Sequence, residues 1–134
     1  MASIDAIEGI GHRNATKLRK ARVRTTEALL KTASTRTGRR RLAVRTKLPE
    51  KSILQWVNRA DLMRVKGVGS EYSDLLEAAG VDTIKELRRR NPANLLDAMI
   101  DINQRRRLVR RLPTEAMVGG WVDAAKDIEP LVAY

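Results

Sequence analysis

Apolar residues recur at spacings of three and four along nearly the whole chain, the period of helices with one inward face, and strand-like alternation is absent. The pattern predicts a short helix over residues 3–8, a break at Gly9-Ile10-Gly11, and a helix over 12–21 with Ala15 and Leu18 inward. Thr25, a good N-cap, opens a helix through Lys31 with Leu29 and Leu30 buried. Ser34-Thr35-Arg36-Thr37-Gly38 reads as a polar break, followed by a short basic helix from Arg39 to Val44. Pro49 is allowed in the first turn of a longer helix, whose Ile53, Leu54, Trp56, Val57, Ala60 and Met63 form one buried face. After a second Gly-x-Gly, residues 70–79 form a helix ended by Gly80, and Asp82 or Thr83 caps another that runs to near Asn91. Asn91-Pro92 then starts a helix with Leu95, Met99 and Ile102 inward.

The chain says one thing twice. Ile7-Glu8-Gly9-Ile10-Gly11 recurs 58 residues later as Val65-Lys66-Gly67-Val68-Gly69, and the match continues with Ala21 over Ala79, Val23 over Val81, Thr25 over Thr83 and Leu29 over Leu87. Later parallels are Arg39-Arg40-Arg41-Leu42 with Arg105-Arg106-Arg107-Leu108, Leu48-Pro49 with Leu112-Pro113, and Trp56-Val57 with Trp121-Val122. These lie about 65 residues apart, so the second copy carries insertions. Glycines two positions apart permit left-handed or crowded backbone, and here they join two amphipathic segments in a tight turn. The second glycine stands just ahead of a helix whose first N–H groups point outward, an arrangement suited to a phosphate.

The run apolar-x-Gly-Ile/Val-Gly-x-x-x-Ala/Ser-x-x-Leu, carried by Ile7 to Leu18 and by Val65 to Leu76, resembles the helix-hairpin-helix motif of non-sequence-specific DNA-binding proteins. Over nearly its whole length the chain also resembles a family of small bacterial proteins described only as a domain of unknown function, with helix-hairpin-helix character. The resemblance implies two such units in tandem. It also implies that hairpin carbonyls can hold a monovalent cation, main-chain groups in this chain.

Composition narrows the picture. At 134 residues the chain is about one domain long, and without Phe its core must be built from Leu, Ile, Val, Ala and Met, which suits small helices. The absence of Cys excludes disulfides, zinc–thiolate sites and thiol nucleophiles. The start lacks a signal-peptide apolar run, and no stretch approaches the roughly 18 apolar residues of a membrane span, so a soluble cytoplasmic protein with no membrane attachment is expected. The net charge of +11 favours a polyanionic partner, and it is unevenly placed. Residues 1–58 hold 14 Lys and Arg against 4 Asp and Glu (+10), whereas residues 59–134 hold 13 against 12 (+1).

In the first copy Arg13, Lys17 and Lys20 fall on one helical face opposite Ala15 and Leu18, with Arg24 continuing the line just past the helix. Together with the turn Gly9-Ile10-Gly11 and with His12, these cations form a candidate surface for a nucleic-acid backbone. None of them reads base edges, so the expected binding is sequence-independent and salt-sensitive. In the second copy Arg13 becomes Glu71, Lys17 becomes Leu75 and Lys20 becomes Ala78. Carboxylates repel phosphate, so Lys66, Gly67, Gly69 and Ser70 are weaker candidates. The second hairpin is instead expected to be structural, or to contact a protein partner through an apolar surface around Glu71, Leu75 and Ala78.

Of the three arginine triplets, Arg39 to Arg41 divides evenly between backbone-phosphate contact and a plain role in solubility or as helix C-terminal charge. Arg40 can share a face with Arg36 and Lys47, and Arg41 with Arg45. Arg88 to Arg90 and Arg105 to Arg107 read as solvated charge, the former in a helix's last turn. Asp97 with Asp101 and Asp123 with Asp127 are helical pairs, too few for a metal site, and no nucleotide-binding or catalytic fingerprint is present. Trp56 and Trp121 fall at apolar-periodic positions and read as core anchors rather than base-stacking groups. The expectation is an all-α protein of two helix-hairpin-helix units, 1–58 and 59–134, in one compact domain. It is expected to be no enzyme, to need no cofactor, and to bind nucleic acid, foremost double-stranded DNA. A protein-interaction module whose hairpins are purely structural is the rival reading.

Overall fold

The computed structural model describes residues 2–134, and the described residues form an all-α fold with eight α-helices. They group into two compact units: the chain up to Asp61 together with Leu131–Tyr134, and Leu62–Pro130. The last four residues, which the sequence placed with the second copy, thus group with the first. Among the described residues no helix is long and apolar enough to cross a membrane.

The first unit begins with a 3-10 turn, Ile4–Ala6, followed by α1 (Gly11–Lys20), α2 (Thr26–Ala33), α3 (Arg36–Thr46) and α4 (Glu50–Leu62), whose final residue falls in the second unit. Ile4, Ile7, Leu18, Leu29, Leu42, Ile53, Trp56 and Val57 are buried. The expected break at residues 34–38 is instead the start of α3: the Thr35 side chain accepts from the Gly38 amide at 3.1 Å, and the helix runs on from Arg36. Gly38 is there for space rather than for breaking, because a Cβ at that position would collide with the Thr32 carbonyl.

The second unit holds α5 (Ser70–Ala78), α6 (Ile84–Arg88), α7 (Pro92–Arg106) and α8 (Glu115–Lys126), with α8 packed on α6 and α7 and α5 packed on α7. Its core includes Leu62, Val65, Leu75, Leu76, Ile84, Leu87, Leu95, Met99 and Trp121.

The sequence repeat has a counterpart in the backbone. Ile7 and Ile10 donate to the carbonyls three residues before them, and so do Val65 and Val68. Val23 donates to the Leu18 carbonyl at 2.9 Å, and Val81 to that of Leu76 at 2.8 Å. Thr25 and Thr83 each cap the following helix. Both α1 and α5 therefore end with the same six-to-one bond, which requires a left-handed residue just past the helix. Gly80 fills that position in the second unit at φ 96°, but in the first it is Arg22 at φ 66°. A left-handed conformation costs a non-glycine residue about 1–2 kcal/mol, only partly offset by glycine's freer unfolded chain. Arg22→Gly is accordingly expected to stabilise the protein by about 0.5–1 kcal/mol, raising the thermal midpoint by a few degrees; an unchanged or lower midpoint would show that the Arg22 side chain itself holds the helix end.

Several arginines, Arg39 and Arg88 of the triplets among them, satisfy helix carbonyls. Arg39 is only 5% exposed and donates to the carbonyls of Ala33 (3.1 Å) and Ser34 (3.0 Å) at the end of α2, and to that of Ala133 (2.7 Å). Arg45 reaches the Ala21 carbonyl past α1 at 3.2 Å, Arg90 that of Ala79 past α5 at 3.4 Å, and Arg88 those of Ala125 and Ile128 around the end of α8, the nearer at 2.7 Å. Cations at these carbonyl ends are favoured by the helix dipole. Burial lowers the Arg39 pKa from its ordinary value while Tyr134 and Glu50 pull it back, and a guanidinium so placed keeps its proton. Of the residues expected to share a face with Arg40, Arg36 opens α3 and Lys47 is its left-handed C-cap (φ 60°).

Candidate nucleic-acid interface

Ile7 and Ile10 anchor the first turn on either side of Gly9, their side chains sunk in the core and the Ile10 amide bonded to the Ile7 carbonyl at 3.2 Å. Both glycines are left-handed, φ 81° at Gly9 and φ 77° at Gly11. Ile10 was expected in the binding surface; its side chain is 3% exposed, so only its backbone can take part. Gly9 and Gly11 lie at the surface, and no other group comes within 4 Å of where a Gly11 Cβ would stand.

α1 starts at Gly11 with no capping side chain, whereas α2, α3, α6, α7 and α8 are capped by Thr25, Thr35, Thr83, Asn91 and Thr114. The amides of Gly11, His12 and Arg13 precede the first helical hydrogen bond, and all three residues are exposed. From this end His12, Arg13, Lys17 and Lys20 are all exposed. At 3.6 residues per turn Arg13, Lys17 and Lys20 lie within an arc of about 60°, along about 10 Å of the helix. No ion pair is formed by any of the three with the described residues. Arg19, on another side of α1, is engaged by Asp5.

Arg24 is exposed on the connector, which is held by an isolated antiparallel bridge between Ser3 and Thr25. Arg40 is exposed on α3, and its partner is Glu50 at 3.8 Å. A group the sequence gave no sign of lies beneath the turn. Arg59, 8% exposed on α4, donates to the Glu8 carbonyl and sits with a guanidinium nitrogen 3.7 Å from where a Gly9 Cβ would be. A lone arginine in a helix carries no signal of the carbonyl it will meet 51 residues away.

The second turn repeats part of the backbone but not the chemistry. Gly67 is left-handed (φ 90°) and Gly69 extended (φ −98°, ψ −163°), and α5 also begins without a capping side chain. Lys66, Gly67 and Gly69 are exposed and Ser70 is half-buried. At the position of Arg13 stands exposed Glu71. Leu75, at the position of Lys17, is 0% exposed and lies in the core with Leu95 and Met99. This corrects the expected apolar docking surface around Glu71, Leu75 and Ala78: Leu75 contributes no surface, and Ala78 is half-buried.

Of the paired carboxylates, Asp101 binds Arg105 at 2.7 Å and Asp123 binds Lys126 at 3.5 Å. No group of three or more His, Asp or Glu able to hold a metal occurs among the described residues. What the first turn and α1 offer is the amide donors of an uncapped helix end, continued by exposed cations.

Residues 8–128 match the family described as Domain of unknown function (DUF4332). No curated protein matches the chain, and no solved structure does.

Proposed function

The chain belongs to this family of domains of unknown function, and from its own geometry we propose that it is a cytoplasmic, non-sequence-specific binder of the nucleic-acid backbone rather than an enzyme. Duplex DNA is the foremost ligand, and the two Gly-x-Gly turns are read as helix-hairpin-helix units. The reading rests on one observation: an exposed turn and uncapped helix end run directly into Arg13, Lys17 and Lys20, three exposed cations without acidic partners among the described residues. Amides at a helix N-terminus hold a phosphate oxygen, and the cations add the long-range attraction that makes such binding salt-dependent. Because only backbone and long basic side chains reach the ligand, affinity is expected to vary little with sequence.

Amide shift changes on titration with a short random-sequence duplex test this directly. Residues Gly9 to Arg13 are expected to move, together with the side-chain signals of Lys17 and Lys20. If the first turn stays unperturbed while the duplex binds, the assignment of the site is wrong.

A further inference from the structure

Read as a whole the second unit is nearly neutral, yet five of its cations are gathered in one stretch. Between the end of α7 and the start of α8, Arg105, Arg106, Arg107, Arg110 and Arg111 fall within seven residues that contain no carboxylate. Arg105 is taken by Asp101 at 2.7 Å. Arg106, Arg107, Arg110 and Arg111 are exposed, and none forms an ion pair with the described residues.

This loop is held in shape. Asn103 clamps it with both ends of its amide, Oδ1 accepting from the Val109 amide at 3.0 Å and Nδ2 donating to the Val109 carbonyl at 3.2 Å. Val109 is itself buried, and Arg107 turns the chain out of α7 in a left-handed conformation (φ 49°). At its far end the Tyr72 hydroxyl donates to the Arg111 carbonyl at 3.0 Å. The Tyr72 ring lies 5.1 Å from that of Trp121, whose indole nitrogen is 3.0 Å from where a Gly67 Cβ would stand. The loop is thus tied, through two aromatic rings, to the second Gly-x-Gly turn. Four free guanidinium groups on a fixed backbone meet the geometric demand of phosphate, whose oxygens accept paired N–H donors.

We propose that the loop Arg106–Arg111 is a second phosphate-binding surface for nucleic acid, one that replaces in the second unit the helical stripe lost to Glu71, Leu75 and Ala78. The assignment rests on the nucleic-acid reading of the first turn, and the test separates the two. Arginine-selective dicarbonyl labelling of the wild-type protein, with and without a random-sequence duplex, is expected to show protection of Arg106, Arg107, Arg110 and Arg111 as well as Arg13. Protection of Arg13 alone overturns the loop assignment and leaves the first site standing. Protection of the loop alone overturns the first site. No protection anywhere, under conditions where other basic proteins are protected, overturns both.

A charge-removing variant supplies the second measurement. Each lost phosphate contact lowers the slope of log K against log salt by about 0.9, so Arg106→Gln/Arg107→Gln/Arg110→Gln/Arg111→Gln is expected to lose about two units or more. A return toward the wild-type slope in the corresponding lysine variant would mark the effect as charge rather than loop structure. A glutamine variant that binds duplex with the wild-type slope overturns the proposal.

Discussion

Leu75→Lys is expected to lower the stability of the second unit by about 4 kcal/mol or more, whereas Lys17→Leu, the reverse exchange at the matched position, should change stability by no more than about 0.5 kcal/mol. Leu75 is wholly enclosed by Leu62, Leu76, Leu95, Met99 and their neighbours. A lysine there loses the apolar burial and must also either place its ammonium in a space lined by hydrocarbon or push the surrounding helices apart. Lys17 has its ammonium in solvent, so leucine removes only charge there. The binding consequence runs the other way: Lys17→Leu weakens duplex binding and Leu75→Lys leaves the first site untouched. Denaturant unfolding of the two variants checks this. Equal and small effects would show that the repeat presents the same face in both units, contrary to the burial of Leu75.

Arg39→Met is expected to cost about 3 kcal/mol although it removes a charge from a protein with a net charge of +11. Methionine can fill much of the apolar path of the arginine stem but offers no donor to the carbonyls of Ala33, Ser34 and Ala133. The Ala33 carbonyl is left in a buried site without the guanidinium, the Ser34 carbonyl keeps the Ala133 amide at 2.8 Å, and the Ala133 carbonyl loses the Arg39 donor. Thermal or denaturant unfolding reads the loss directly. A variant as stable as wild type would mean that solvent satisfies these carbonyls as well as the guanidinium does.

These two residues show what was and was not legible in the chain. Helix positions followed from the three-and-four spacing of apolar residues. Thr25, Thr83 and Asn91 announced their caps because a short polar side chain ahead of an apolar helix has few other uses, and the burial of Trp56 and Trp121 followed from the same periodicity. Leu75 was misread because the repeat was trusted over its own helix: aligned on Lys17 it falls on an outward face, yet Tyr72, Leu75, Leu76 and Ala79 already trace an inward one. Arg39 was left open for a different reason. It stands three and seven residues before the buried Leu42 and Thr46, on the inward side of α3, but within a triplet whose role as a whole was evenly divided. Arg45, Arg59, Arg88 and Arg90 were beyond reach, since the carbonyls they satisfy lie at other element ends that only the fold brings near.

The candidate surface divides along the same line. The cationic stripe on α1 could be read from spacing, since three positions at four and three residues must share a helical face. The fixed form of the arginine loop could not, because it depends on the hold of Asn103 on Val109 and of Tyr72 on Arg111.

The measurement that bears most directly on the central claim is fluorescence anisotropy with a random-sequence DNA duplex across a salt series, for wild type and for Arg13→Ala/Lys17→Ala/Lys20→Ala. With about 0.9 units of slope for each phosphate neutralised, wild type should show a slope of several units and the variant should lose about two or three of them, with folding unchanged because all three side chains are exposed. A variant that binds with the wild-type slope, or a wild type that does not bind near physiological salt, would contradict the account and leave the basic first unit as a solvated surface.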